Sequence, residues 1–309
     1  MRLLLGAKAA SLTDIRLPCL ASYKYDGWRG LWQGLEFFTR NGKTIPNRAL
    51  QRAARQYDLP PGWDGEVIVG APSGPGVFDR TNTFCKTLSA SIPPEGVRFL
   101  VFDNSTNEGD FLGRQASIFS IPPFVEVVEQ EFISTYDDLE AFEARAVELG
   151  YEGICTRAPH GPYKHGRSTL KEQYLVKLKR YIDGEFQIIG AEELMHNANP
   201  AFISETGYTK RSTHQDGKIP AGVLGKIIVD WCGHELRVGT GFDSEDRAHL
   251  WQRFLRGDLV GDWATIRYSP PTKTLPRQPV FKAIRGDVDQ PNRGRNSPIT
   301  PPQLTKEKP

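Results

Sequence analysis

The chain has few of the features that mark exported, membrane-bound or metal-stabilised proteins. Its four cysteines, Cys19, Cys85, Cys155 and Cys232, are scattered and form no C-x-x-C pair, which argues against a zinc site and against a disulfide framework. No stretch approaches the roughly 18 apolar residues of a membrane span, and residues 3–5 are too short for the apolar region of a signal peptide. We therefore expect a soluble cytoplasmic protein with reduced thiols, no zinc and no membrane anchor.

Net charge is also small. Lys and Arg total 39 while Asp and Glu total 37, so the formal net charge is +2. Affinity for nucleic acid would therefore have to come from a local basic face rather than from bulk charge. With 309 residues, 39% of them hydrophobic, the chain is long enough for one large or two ordinary domains with real cores.

The first 183 residues alternate short strand-like runs with a few helical ones. The patterns predict strands at 31–39, 63–70, 98–103 and 153–157 and helices at 50–57 and 136–149. Asn41-Gly42, within the turn 40–43, is a strong hairpin signal. Residues 134–138 supply capping residues for the second helix, and Gly150 supplies its C-terminal stop. The fold class predicted for residues 1–183 is α+β, with mostly antiparallel sheet.

A different pattern of predicted elements follows over residues 184–290. Strands are predicted at 187–191, 226–231, 235–238 and 264–268, with one helix at 244–255. These lengths suit a small closed β-barrel of the OB type, a fold often used to bind nucleic acid. A polar insertion at 195–222 reads as a long functional or disordered loop. Residues 291–309 are Pro-rich and charged and predict a disordered tail.

The loop around Lys24 gathers chemically active residue types. Lys24, Asp26 and Arg29 lie within six positions, with Gly27 between them. An amine beside fixed charges can attack a phosphorus centre, because neighbouring cations disfavour its protonated form. The alternative is a strand-ending turn with solvated charges.

Two carboxylates lie at the beginnings of predicted apolar strands. Glu66 lies in the run 64–69 and Glu152 in the run 152–157. Either is compatible with an ordinary strand start. Together they could converge on a magnesium ion, which favours carboxylates, retained waters and substrate phosphates.

Two further patterns could surround a nucleotide. In a strand, Lys177 and Lys179 point to one face, and at about 6 Å and an effective dielectric of about 20 they repel by roughly 3 kcal/mol. A bound phosphate would remove that cost, whereas the alternative is a solvated edge strand. Phe99 and Phe102 offer either a platform for a purine or an ordinary core pair.

Taken in order, these motifs resemble those of covalent nucleotidyltransferases. The series is K-x-D-G-x-R (24–29), T-R-N-G (39–42), D-G-E (64–66), F-x-x-F-D (99–103), E-G-x-x-x-R (152–157) and K-x-K (177–179). Within that superfamily the chain resembles minimal ATP-dependent DNA ligases of the virus and phage type. The runs 207–214, 238–243 and 276–285 are similar to the OB domain of those ligases, so the resemblance covers residues 20–290.

The resemblance implies a nucleotide site in an adenylation domain, residues 1–183, that uses ATP with Mg²⁺ or Mn²⁺. Lys24 would be the nucleophile that carries AMP, Glu66 would contact the ribose, and Phe102 would stack on adenine. Lys177 and Lys179 would neutralise the α-phosphate as charge builds in the transition state.

The resemblance also implies metal and DNA contacts. Glu152 would hold the divalent metal, with Glu66 as a second candidate ligand, and Arg29 and Arg40 would orient the nucleotide and the 5′-phosphate of the nick. The OB domain, residues 184–290, would bind nicked duplex DNA, and its 195–222 insertion would act as a latch. Lys210 and Arg211 are suited to phosphate contacts there.

The chain departs from the family pattern at some positions. Arg157 stands where many relatives have lysine, which keeps the charge but alters geometry. Asp26, Arg277 and Arg285 are further candidates, the last two for the pyrophosphate step because the closing segment lacks the fuller basic motif of larger ligases. No extra DNA-binding module is visible in the sequence, and we expect a monomer.

Three other functions share part of this pattern. An mRNA-capping guanylyltransferase would use the same lysine chemistry but prefer GTP. An RNA ligase would share the first domain and carry a different C-terminal half. A non-enzymatic OB protein would only bind nucleic acid, and the presence of Lys24, Glu66, Glu152, Lys177 and Lys179 argues against it.

Overall fold

The structure is a computed structural model that describes residues 2–88, 91–92, 96–119, 122–203, 209–212, 214–269 and 275–285, with the backbone alone at 203, 209 and 210. The predicted tail, 291–309, lies outside the described residues. Contacts divide the chain into two units, Met1–Arg180 and Tyr181–Pro309. Among the described residues, no helix combines the length and apolar character that a membrane crossing requires.

The first unit contains ten strands and four α-helices among its described residues. They are β1 (Ala7–Ala9), β2 (Cys19–Tyr23), β3 (Trp28–Trp32), β4 (Phe37–Phe38), α1 (Arg48–Gln56), β5 (Trp63–Val69), α2 (Val77–Lys86), β6 (Val97–Asn104), α3 (Phe111–Ala116), β7 (Val125–Val127), β8 (Glu131–Ile133), α4 (Tyr136–Glu148), β9 (Gly153–Arg157) and β10 (Val176–Lys179). The predicted mixed α+β class is confirmed.

Two five-stranded sheets organise this unit. Their strand orders are β1-β10-β9-β2-β8 and β4-β3-β5-β6-β7. All pairs are antiparallel except β1 with β10 and β6 with β7. The first sheet packs its apolar face, which includes Ile154, Val176 and Leu178, against Leu139 and Phe142 of α4. Lys177 and Lys179 alternate with the buried residues of β10, so they point away from α4.

The prediction of one strand over 31–39 is wrong. Strand β3 ends at Trp32 and β4 begins at Phe37, and between them the chain turns, with Gln33 N donating to Glu36 O at 3.2 Å. Gly34 has a positive φ of 87°, which costs glycine little and lets the chain reverse there. The apolar residues on both sides of this turn gave the sequence its strand-like appearance.

The second unit contains seven strands and one α-helix among its described residues. They are β11 (Ile182–Asn197), β12 (Ala201–Ile203), β13 (Thr209–Arg211), β14 (Lys218–Trp231), β15 (His234–Val238), α5 (Ser244–Arg256), β16 (Trp263–Ser269) and β17 (Arg277–Ile284). The main sheet has the order β15-β14-β11-β16-β17. Just beyond β15, Thr240 O accepts from Phe281 N of β17 at 2.9 Å. The two edges therefore meet, as the predicted barrel requires.

The prediction that residues 195–222 form a loop is wrong for the part that the structure describes. Strand β11 runs to Asn197 and β14 starts at Lys218, and these two residues pair directly. Strands β12 and β13 form a further antiparallel hairpin. The segment looks loop-like because its strands are largely exposed on both faces and therefore lack the apolar alternation of a strand packed on a core.

Candidate active site

Lys24 and Glu152 are placed side by side by the backbone. Lys24 N donates to Gly153 O at 2.8 Å, and Glu152 N donates to Lys24 O at 3.2 Å, which extends the pairing of β2 with β9 by one step. Lys24 Nζ contacts one carboxylate oxygen of Glu152, and Lys179 Nζ contacts the other. Glu152 thus bridges two lysines that are 155 positions apart in the chain.

The pKa of Lys24 shifts in the opposite direction to the one that the sequence led us to expect. Burial lowers the pKa of Lys24, but the adjacent carboxylate of Glu152 outweighs burial and the pKa is raised. Burial opposes ionisation of Glu152 as well, yet Lys24 and Lys179 bring its pKa below the ordinary value. The expectation that neighbouring cations would keep Lys24 unprotonated is therefore wrong for this state, because an anion lies closer than any cation.

Lys177 and Glu66 complete the charged cluster. Burial lowers the pKa of Lys177, and the nearby cations Arg29 and Lys24 add to this effect. Burial raises the pKa of Glu66 to about 7, against the attraction of Arg29, Lys24 and Lys177. The Lys177 stem passes over Gly6, where an added Cβ would lie 2.7 Å from Lys177 Cγ. Glu66, Lys24 and Lys177 thus interact electrostatically although they come from three different strand regions.

Arg29 is held in place by a buried carboxylate. Its Nε and Nη2 donate to the two oxygens of Asp64 at 2.5 Å each. The Tyr163 hydroxyl donates to Asp64 Oδ2 at 2.6 Å, and Asp64 itself is fully buried. The Arg29 guanidinium lies 4.5 Å from the centre of the Phe102 ring. The predicted phosphate-orienting residue is thus fixed between a carboxylate and an aromatic ring.

The predicted aromatic pair divides between two faces of β6. Phe99 is fully buried in the core beside α1 and α2, whereas Phe102 is half-buried on the opposite face, so spacing three separates them. Arg157 donates to Asp103 at 2.7 Å and lies 5.4 Å from the Phe102 ring. Arg114 holds the other oxygen of Asp103, also at 2.7 Å. The residue that departs from the family pattern is therefore part of a buried ion-pair network.

A stack of aromatic rings lies behind Lys24 and Glu152. Tyr23 stacks on Tyr151 with ring centres 4.3 Å apart, and on Phe142 at 5.0 Å. Tyr25 meets Tyr151 edge-on at 5.4 Å. Tyr23 and Tyr25 flank Lys24, and Tyr151 precedes Glu152. Sequence reasoning missed this stack, although the alternation Tyr-Lys-Tyr around position 24 was a usable signal.

The remaining predicted site residues are more scattered. Arg40 is exposed in the turn after β4, and Asp26 is half-buried before β3. Arg211 donates to Asn199 O at 2.5 Å, and the side chain of Lys210 lies outside the described atoms. Arg285 pairs with Glu185.

Divalent-metal binding is compatible with the cluster only in part. Among the described residues there is no group of three His, Cys, Asp or Glu side chains that could hold a metal ion. Mg²⁺ in nucleotide sites commonly uses one or two carboxylates, with phosphates and waters as the other ligands. Glu152 and Glu66, which both interact electrostatically with Lys24, fit that smaller donor set.

Comparisons with known proteins agree on one family. Residues 217–285 match the model of the DNA ligase OB-like domain. The DNA ligase of Haemophilus influenzae is 26% identical over 232 residues, which cover 73% of this chain and 74% of that protein. The DNA ligase of African swine fever virus is 32% identical over 66 residues, covering 21% of this chain and 16% of that protein.

The similarity to solved structures covers residues of both units. The Chlorella virus DNA ligase-adenylate is 28% identical, with a TM-score of 0.52, and the match covers 93% of this chain and 99% of that one. A Lig E DNA ligase shares the fold with a TM-score of 0.66 at 24% identity, over 92% of this chain and 99% of that one. Motif order, fold and relatives agree, and the chain is similar to ATP-dependent DNA ligases of the minimal type.

Proposed function

We propose that this protein seals nicks in duplex DNA through an adenylate on Lys24 and then on the DNA. The observation that carries the proposal is the contact of Glu152 with both Lys24 and Lys179, beside Lys177. This arrangement joins a nucleophilic amine to cations that can neutralise a phosphate.

Three transfers follow from this arrangement. Lys24 Nζ forms a bond to the α-phosphorus of ATP and pyrophosphate leaves. An oxygen of the 5′-phosphate at the nick then attacks the same phosphorus, and the P–N bond to Lys24 breaks. Finally the 3′-hydroxyl attacks the 5′-phosphate, AMP leaves, and a phosphodiester remains.

The charged cluster controls when Lys24 can react. While Glu152 contacts Lys24, the amine stays protonated. With Glu152 turned away, burial would still lower the pKa of Lys24, while Glu66 would still raise it. Lys177 and Lys179 then offset the charge that develops on the α-phosphate. Mg²⁺ or Mn²⁺, held by Glu152 with Glu66, would supply further charge neutralisation on the phosphates.

Other parts of the chain are assigned by the same proposal. Glu66 contacts the ribose, Phe102 stacks on adenine, and Arg29 and Arg40 orient the nucleotide and the 5′-phosphate. The 195–222 insertion, with Lys210 and Arg211, grips the duplex. We also propose that the enzyme acts as a cytoplasmic monomer without zinc.

Labelling tests the first step directly. With radiolabelled ATP and magnesium, the wild-type protein should form an adduct that maps to Lys24 and is discharged by nicked DNA. Lys24→Ala should form none, whereas Lys86→Ala, an exposed lysine at the end of α2, should label normally. An unchanged adduct yield in Lys24→Ala would refute the nucleophile. Preferential labelling by GTP would favour the capping enzyme, and sealing of nicked RNA alone would favour an RNA ligase.

A further inference from the structure

One face of the first sheet carries a row of side chains that crosses four strands. Lys8 of β1 pairs with Lys177 of β10. Lys177 pairs in turn with Cys155 of β9, and Cys155 pairs with Ser22 of β2. Residues that pair directly project to the same face of a sheet, and Lys24 follows Ser22 by two positions, which keeps it on that face. The row therefore leads from the strand of Lys24 to the sheet edge at β1.

Burial independently assigns Lys8 to this face. Ala7 and Ala9 pack with Val176 in the core beside α4, whereas Lys8, between the two alanines, is exposed. Because side chains alternate along a strand, Lys8 lies on the face opposite α4, which is the face of Lys177. The Lys8 amine forms no ion pair with any residue that the structure describes. It is therefore available to a bound anion.

The Lys177 side chain leans toward the strand that carries Lys8. An added Cβ at Gly6, the residue before β1, would lie 2.7 Å from Lys177 Cγ and 2.8 Å from its Cε. The main chain there is held in place, because Gly6 O accepts from Arg167 Nη1 at 2.8 Å and Ala7 N donates to a carbonyl at the start of β10 at 2.9 Å. The Lys177 ammonium thus lies close to β1, and Lys8 supplies the next cation outward.

The direction of the reaction gives this second cation a role. In phosphoryl-type transfer the attacking and leaving groups lie roughly in line, on opposite sides of the phosphorus. The attacking amine belongs to Lys24 at the end of β2, and Lys177 is assigned to the α-phosphate. The leaving group then points toward β1, which is three strand spacings, roughly 14 Å, from β2. Arg285, a candidate for the pyrophosphate step, already pairs with Glu185.

We propose that Lys8 binds the β- and γ-phosphates of ATP and the pyrophosphate that leaves. This inference rests on the proposed function, because it takes Lys24 as the attacking amine. When the bond between the α-phosphorus and the bridging oxygen breaks, its electron pair stays on the pyrophosphate. The Lys8 ammonium offsets that added negative charge and keeps its proton throughout, since lysine acts toward phosphate as a point charge.

The reverse of the first step tests this contact, because inorganic pyrophosphate is then the substrate. Enzyme with radiolabelled AMP on Lys24, prepared at saturating ATP, is mixed with inorganic pyrophosphate and magnesium, and release of labelled ATP is followed. For Lys8→Gln, the pyrophosphate concentration at half-maximal release should rise about 10-fold, as should the KM for ATP in the forward direction, because a charge-assisted hydrogen bond is lost. Sealing of a pre-adenylated nick involves no pyrophosphate and should keep its rate.

Two further variants complete the experiment. Lys86→Gln removes an exposed lysine at the end of α2 and should leave the pyrophosphate dependence unaltered, whereas Lys8→Arg keeps the charge and should restore most of the affinity. If Lys8 serves only to protect the sheet edge, Lys8→Gln would show the wild-type pyrophosphate dependence, and the proposal would be overturned. An equal loss in sealing of the pre-adenylated nick would also overturn it. Failure of the wild type to label with ATP would instead refute the proposed function.

Discussion

At the residue scale, the charged cluster contains two carboxylates, Glu66 and Glu152, and three amines, those of Lys24, Lys177 and Lys179. Glu152 lies in contact with Lys24 and Lys179, so its carboxylate is stabilised. Among the residues that the structure describes, no ion pair joins Glu66 to an amine, and its pKa rises to about 7 because burial dominates. Two carboxylates in one cluster therefore respond oppositely to the same surroundings.

The raised pKa of Glu66 predicts pH-dependent stability. A raised folded-state pKa favours the folded protein below the ordinary carboxyl pKa, and this benefit is lost as pH rises through about 7. At pH 8 the ionised Glu66 should cost on the order of 3 kcal/mol, since each tenfold change in ionisation corresponds to about 1.4 kcal/mol. Glu66→Gln should therefore raise the unfolding midpoint at pH 8 and change it little at pH 5.

Thermal unfolding at the two pH values provides the measurement. Glu148→Gln, an exposed residue at the end of α4, serves as the control and should show no such pH difference. If Glu66→Gln shifted the midpoint equally at pH 5 and pH 8, the ionisation argument would fail.

Sequence reasoning located the members of this cluster but not their electrostatics. The alternation in β10 correctly placed Lys177 and Lys179 on one face. The sign of the pKa change at Lys24 depended on which charge lay nearest, and contacts between residues 128 positions apart are not encoded in local spacing. Tyr163 escaped notice for the same reason, since it reaches Asp64 across 99 positions.

At the element scale, strongly patterned segments were predictable and weakly patterned ones were not. Helix α4 was predicted at 136–149 and observed at Tyr136–Glu148, and its cap, Thr135, lies within the expected capping run 134–138. Helix α2 was missed although its buried residues, Val77, Thr81, Phe84 and Cys85, recur at helical spacing, because β-branched Val and Thr have low helix propensity and a polar Thr interrupts the apolar pattern.

The aromatic stack connects two elements to the reacting pair. Tyr151 packs between Tyr23 and Tyr25, and its backbone neighbour is Glu152. Tyr151→Leu should slow adenylate formation at saturating ATP about 10- to 100-fold, because a small displacement of Lys24 and Glu152 misaligns the attack. Tyr151→Phe keeps the ring and should stay close to wild type.

Single-turnover labelling with ATP, together with sealing of a pre-adenylated nick, would measure this effect. Sealing of the pre-adenylated nick bypasses attack by Lys24 and should be less affected, as should the KM for ATP. Equal losses in both assays, accompanied by a lower unfolding midpoint, would indicate general destabilisation and contradict a positioning role.

At the scale of the whole molecule, the chain divides into two compact units, and the proposed adenylation residues and the proposed DNA-binding insertion belong to different units. All predicted nucleotide residues lie in the first unit, Met1–Arg180. The 195–222 insertion lies in the second unit, where the described residues form paired strands. The binding step and the adenylation step should therefore be separable by mutation.

Shortening the insertion tests that separation. Asn197 and Lys218 pair directly, so residues 198–217 can be replaced by Asn-Gly, which favours a two-residue hairpin turn. Affinity for nicked duplex should fall about 10-fold or more through lost phosphate contacts, while labelling by ATP stays at the wild-type rate. Fluorescence anisotropy with nicked duplex, beside the labelling assay, gives both values. Unaltered nick affinity would rule out the insertion as a DNA-gripping segment.

The close passage of Lys177 over Gly6 has a wider consequence. Even one methyl group at position 6 would have to push the lysine stem aside, although position 6 contributes no functional group of its own. A substitution at position 6 would therefore change the position of the Lys177 ammonium group. A Gly6→Ala variant should displace the Lys177 side chain without changing any charged group of the cluster.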